Sequence, residues 1–228
     1  MRFFDSLIDE INSLLEKCPQ QTYPLGERWK DVGRNTLVLK RDEAFELTGI
    51  GFNLVTSQDI GKSGVTVVGN DLSSLGSNTP FARISLIQTD AVDDEQTAYD
   101  TIRKVEYRKY HYFPEGFMVR TFSSSHNENV RVTKKAISDG ISFKSVGSLL
   151  AEKYLETPAV KTARVIYVTD RNADFAALEK IAARSDEITT TLNHIMQNIP
   201  LDCSACRLKP ICDEVEGMKE LHFKQAGM

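Results

Sequence analysis

Ala163-Arg164-Val165-Ile166-Tyr167-Val168 is the clearest strand in the chain, and a helical period follows it at Phe175, Leu178, Ala182, Ile188, Leu192 and Ile195. A short β-branched apolar run that feeds a long amphipathic stretch reads as a buried strand followed by a helix to about Met196, capped by Asp170 or Asn172. Just upstream, residues 146–155 read as a helix that ends before Pro158, because the residue before a proline is pushed out of the helical region. Residues 134–139 give a short helical turn closed by Gly140.

Farther upstream the pattern is dominated by short β-rich runs at 36–39, 44–47, 52–56, 65–68 and 81–88, then at 116–123 and 129–132. Asp93-Asp94-Glu95 places negative charge at a helix start, with Ala98, Ile102 and Val105 on one face up to about Tyr110. At the beginning, Phe4, Leu7, Ile8, Ile11, Leu14 and Leu15 predict an amphipathic helix over about 5–17, with Cys18 extending its apolar stripe and Pro19 stopping it. Residues 19–35, around the only tryptophan, Trp29, read as an extended connection. This order of elements argues for an α/β (α+β) fold: a mixed, partly antiparallel sheet flanked by helices, with a cysteine-rich tail. The simplest partition is one α/β domain over 1–199 and a metal-binding tail over 200–228 packed on it.

With 228 residues, 41% of them hydrophobic and 26% charged, the chain holds enough apolar material for a substantial core, which excludes intrinsic disorder as its main description. A formal charge of −4 is the opposite of a global nucleic-acid footprint, so no nucleic-acid partner is expected. No apolar run approaches membrane-spanning length, so no membrane partner is expected either and a cytoplasmic location is the expectation. Composition leaves the oligomeric state open.

Three of the four cysteines lie close together as Cys203-Ser204-Ala205-Cys206 and, five residues further on, Cys212. A Cys-x2-Cys turn brings two thiolates to one centre, and a five-residue return delivers a third without regular structure between them. Thiolates suit a [4Fe-4S] cluster or zinc, and Arg207 and Lys209 would favour the thiolate form and offset the negative charge of a cluster. The spacing leans toward iron and sulfur, because zinc ribbons repeat a second short Cys/His pair and none follows. Three candidates stand for the fourth ligand: Cys18, far upstream and favoured; His222; and an exogenous group. Against Cys18 stands its place on the apolar stripe, where cysteine behaves as a small hydrophobe.

Glu115-Gly116-Phe117-Met118, the run Asn129 to Ala136, Gly140 to Gly147 and Ala163 to Asp170 together resemble a stretch of the beta subunit of the CO dehydrogenase/acetyl-CoA synthase complex. More weakly, Leu47 to Phe52 and Val67 to Leu72 are similar to an earlier part of the same domain. In that family the cysteines after the long helix hold the [4Fe-4S] cubane of the nickel cluster, and Cys203 and Cys206 match that first pair. The chain has no Cys-Gly-Cys, the motif that holds the family's second nickel. The resemblance therefore implies a truncated relative that keeps the scaffold and a cubane. It would have a redox or one-carbon (CO/acetyl-CoA) role in a complex, beside a corrinoid or one-carbon metabolism protein of an anaerobe. The catalytic residues stay unassigned. The rival class is a non-catalytic binding module in which zinc or a cluster pins the tail.

Other motifs weigh less. Arg103 to Tyr112 interleaves cations with tyrosines, which fits binding of a phosphate-bearing ligand or, more plainly, a solvated helix face. Gly61-Lys62-Ser63 lacks the helix start that a phosphate loop needs. Gly49-Ile50-Gly51 fits a turn or bulge between strands. Ser123-Ser124-Ser125-His126 reads as a polar turn rather than a nucleophile with its base.

Overall fold

The computed structural model describes residues 2–77, 79–90, 95–121, 126–197, 206–215 and 218. Seven strands form one mixed sheet: β1 (Gln20–Pro24), β2 (Ala44–Thr56), β3 (Gly64–Val68), β4 (Pro80–Thr89), β5 (Phe117–Thr121), β6 (Asn127–Thr133) and β7 (Val160–Val168). Their order across the sheet is β1-β3-β7-β4-β2-β6-β5. The β2–β4 and β3–β7 pairs are parallel, and the other four pairs are antiparallel.

Side chains alternate along each strand, so register assigns them to faces. One face carries Val165 and Tyr167 of β7 with Phe81, Arg83 and Ser85 of β4. It is covered by α4 (Phe143–Leu155), with α2 (Glu95–Lys109) alongside. Contact with α4 is close enough that a Cβ on Gly147 would lie 2.8 Å from Val65, and the Phe143 and Tyr167 rings stack at 4.4 Å. The opposite face carries Phe52, Leu54, Ile84, Leu86, Ile166 and Val168, against which α5 (Phe175–Met196) packs. Beside α5 runs α1 (Asp5–Leu15), antiparallel to it and tied by Arg184 to Glu10 at 3.0 Å. The sheet is thus sandwiched between helices, as the alternation of elements implies.

Several boundaries differ from the sequence reading, each for an identifiable reason. Residues 36–39 form no strand; Leu37 is 71% exposed, with no sheet partner to reward its β-propensity. The connection 19–35 contains the edge strand β1, whose mostly exposed residues carry no apolar alternation that would announce it. Asp174, not Asp170 or Asn172, caps α5 by accepting from the Ala177 N–H, while the Asp170 side chain closes a turn by accepting from the Asn172 N–H. α4 starts earlier than read, at a reciprocal cap between Ser142 and Ser145. α3 (Lys134–Ser138) and Gly140, at φ +90°, match the expected turn and stop. The start Asp93-Asp94 lies outside the described residues.

The largest correction concerns Gly49-Ile50-Gly51, which is no turn: it lies inside the single thirteen-residue strand β2. A Cβ on Gly49 would lie 1.7 Å from the Phe81 carbonyl oxygen, and one on Gly51 would lie 2.0 Å from Glu128 Oε2 and 2.9 Å from Arg83 Nη2. The second glycine makes room for an ion pair that is almost wholly buried: Arg83 is 3% exposed and Glu128 1%. Arg83 Nε donates to both Glu128 carboxylate oxygens at 3.0 and 2.9 Å, and Nη2 donates to Oε2 at 2.8 Å. Nη1 donates to Asn53 Oδ1 at 2.9 Å and Ser85 Oγ at 2.8 Å, and Tyr154 donates to the same Asn53 oxygen.

Breaking a buried pair of this kind costs about 3–5 kcal/mol because it strands a charge in a medium of low polarity. Gly51→Ala drives a methyl into the carboxylate and is expected to destabilise the protein by about 3 kcal/mol or more in a chemical denaturation experiment. Wild-type stability of that variant would show that the pair does not occupy the glycine notch.

Candidate functional site

The cysteines come first, since they carry the metal chemistry. Cys18 follows α1, and its N–H bonds the Leu15 carbonyl. It is half-buried, packed on the core and close to Asp170. Asp170 and Gly69 lie just past the ends of β7 and β3, so Cys18 stands at the carboxyl end of a parallel strand pair. The carboxyl ends of strands are where ligands bind in open α/β sheets. Burial, helped by the Asp170 carboxylate, raises the Cys18 thiol above its ordinary pKa, so a metal there competes with the proton.

Cys206 precedes the turn into α6 (Lys209–Glu214) and Cys212 lies on that helix, and both are half-buried. α6 packs back on α5, anchored by Leu208 and Ile211, and Cys212 faces the same core. Lys209 pairs with Asp213 one turn later, which spends part of its charge within the helix, whereas Arg207 is exposed. Two soft donors are thus held on a short anchored segment, and that donor chemistry fits iron–sulfur or zinc. Cys203 and His222 lie outside the described residues. Among the described residues, no three Cys, His, Asp or Glu side chains gather into a group able to hold a metal ion.

Chain direction adds a constraint. α1 is antiparallel to α5, so Cys18 lies near the start of α5 while the tail leaves from its end, a span of about 30 Å for 22 residues. For Cys18 to join the tail cysteines, the tail must run back along α5, the helix against which α6 is packed.

The basic-aromatic segment is largely the solvated helix face of the plainer reading, with Arg103, Lys104, Tyr107, Tyr110 and His111 exposed, and several of its cations are paired. Lys109 pairs with Glu106 at 2.5 Å, Arg108 with Glu156 at 2.9 Å, and the Arg103 guanidinium lies 5.8 Å from the centre of the Tyr99 ring. Its C-terminal end and the edge strand β5 enclose a cleft of about 520 Å³, which no reading of the sequence located. Its parts come from residues 35–37, 109–113 and 117–121, and only the fold brings them together.

The remaining motifs keep their plain reading. Gly61 turns at φ +79° into β3, with no helix start for a phosphate, and Ser63 Oγ accepts from the Ala163 N–H. His126 Nδ1 lies 3.3 Å from Asp186 Oδ2, against α5; residues 123–125 lie outside the described residues. No helix among the described residues is long and apolar enough to cross a membrane.

A family model described as CO dehydrogenase/acetyl-CoA synthase complex beta subunit matches residues 31–173, more than half of the chain. The matched segment runs from before β2 through β7 to the threshold of α5. No curated protein matches the chain.

Because Asp170 adds to the burial that holds the Cys18 proton, Asp170→Asn lowers the Cys18 pKa. At pH 8 the metal-free variant should be alkylated at Cys18 roughly twofold faster than the wild type, as followed by peptide mass spectrometry, since only the thiolate reacts. An unchanged rate would mean that the carboxylate does not act on this thiol.

Proposed function

From its membership of the CO dehydrogenase/acetyl-CoA synthase complex beta subunit family, to which this chain belongs, we propose that the protein is an iron–sulfur subunit with a redox or one-carbon role. The observation that carries the reading is the pairing of the family scaffold with a Cys-x2-Cys-x5-Cys segment directly after α5, part of it anchored on that helix. Cys203, Cys206 and Cys212 are the proposed ligands, and Cys18, at the carboxyl end of β3 and β7, is the proposed fourth. A bound [4Fe-4S] cluster supplies one-electron transfer, at a potential set by its charge, hydrogen bonds and exposure. The protein's own part is to hold the thiols half-buried: α6 fixes Cys206 and Cys212 against α5, and Arg207 adds a positive charge beside them.

The family is named for a complex, and a protein partner from one-carbon metabolism, such as a corrinoid protein, follows for this chain as part of the proposal. A cytoplasmic site of action belongs to the same reading. The absence of a Cys-Gly-Cys keeps the family's second nickel out of the proposal.

Metal and acid-labile sulfide analysis of anaerobically purified protein tests it. About four irons and four sulfides per chain are expected, lost in Cys203→Ser and in Cys18→Ser. Iron retained by Cys18→Ser would move the fourth position to His222 or to an exogenous group. One zinc without sulfide would replace the redox reading by a structural zinc module.

A further inference from the structure

The cleft between α2 and β5 ends inward on a chemistry that the fold does not use. Behind it lies a small cavity of about 10 Å³, and the two share Lys109, Tyr112, Phe117 and Val119 as a common wall. The hydroxyls of Tyr112 and Tyr167 face each other at this cavity; the residues are 6% and 1% exposed, and apart from one another the two hydroxyls have no hydrogen-bond partner among the described residues, so the pair is left one acceptor short. Unsatisfied buried polar groups are rare and call for a cause. Burial pushes both phenols above their ordinary pKa, so they remain protonated donors.

Acceptors on the protein side are already taken. Arg83 occupies both oxygens of Glu128, while Asn53 and Lys109 occupy those of Glu106. Lys109 directs one of its three N–H groups at Glu106, whose charge, against the cost of burial, keeps the ammonium protonated. The inner end therefore has donors in excess: an ammonium and, since one hydroxyl can accept from the other, one phenol. The cleft walls combine aromatic and apolar side chains, Tyr110, Phe113, Phe117 and Val119, with a polar rim that includes Asn35, Thr36 and Thr121. Volume, apolar lining and a few convergent polar groups are the attributes of a small-molecule site.

We propose that this cleft binds a small planar carboxylate, an aromatic or heteroaromatic acid whose ring packs among Tyr110, Phe113 and Val119 and whose carboxylate meets Lys109 at the inner end. One carboxylate oxygen then accepts from Tyr112, which lines the cleft, and leaves Tyr167 to donate to the Tyr112 oxygen behind it. Charge favours a monoanion. Arg83 balances Glu128 and Lys109 balances Glu106, so Arg120, exposed at the mouth, is the surplus cation among the described residues that line the cleft. A dianion would overshoot neutrality next to the carboxylates of Glu128, which is buried, and Glu106, which is partly exposed. This site stands apart from the cysteines and does not depend on the iron–sulfur reading.

Ligand-observed NMR and calorimetric titration of the full chain with benzoate, 2-naphthoate, benzamide and phenyl phosphate test the proposal. Saturable binding is expected for the two carboxylates, at least about tenfold weaker for benzamide, since the amide forfeits the charge-assisted bond to Lys109. Tyr112→Phe, which removes only a hydroxyl on the cleft wall, should weaken 2-naphthoate about threefold or more. Leu37→Glu alters an exposed residue at the mouth without touching the core; it should weaken 2-naphthoate several-fold, an effect that added salt reduces. No saturable binding by any probe, equal binding of benzamide, tighter binding of phenyl phosphate than of benzoate, or affinities unchanged in both variants would each overturn it.

Discussion

A guanidinium and a carboxylate that water does not reach have to be satisfied by the protein alone, and much of this fold is arranged around doing so. Arg83 projects from β4 and Glu128 from β6, with β2 between them, and the bond crosses β2 only because that strand has no side chain at Gly51. The pair then recruits Asn53 and Ser85 from the sheet and Tyr154 from α4, and through Asn53 it reaches Glu106 of α2. Three strands and two helices are thereby tied to one buried ion pair. A buried pair of this kind is weak evidence for extra stability, since an apolar replacement can match it. What it does impose is register: any slip of β2 by one residue puts a side chain where the bond must pass.

That arrangement also explains which parts of the structure were legible. Strands β3, β4 and β7 were readable because they pair on both sides and carry apolar residues with little interruption, and β6 because Val130 and Val132 alternate with polar neighbours. The helices α1, α2 and α5 were readable from their period alone. β1, an exposed edge strand, offers no such signal, and residues 36–39 offer a false one. Gly49 and Gly51 misled most: local chemistry reads them as a turn, and the reason for their being glycine lies at Phe81, Arg83 and Glu128, far away in sequence. The cysteine segment was legible as a donor set but not as a geometry, because whether Cys18 joins it depends on how the chain returns along α5. The cleft was wholly illegible, being assembled from three separate segments.

The cysteines stand in an orderly relation to this scaffold. The family match ends where α5 is about to begin, and the thiol-bearing segment follows that helix. One end of α5 points toward Cys18 and the carboxyl ends of β3 and β7; the other releases the tail, which comes back to pack α6 on the helix. A cluster closed by Cys18 would link the first helix of the chain to its last described one across α5. Such a link would couple the stability of the tail to the presence of the metal, because site formation and folding share one free energy.

The most direct test of the central claim is X-ray absorption at the iron and zinc edges of anaerobically purified protein. The account predicts iron in an all-sulfur first shell with neighbouring iron atoms, the signature of a thiolate-held cluster. Zinc in place of iron, or iron surrounded by nitrogen and oxygen with no iron neighbours, would contradict it.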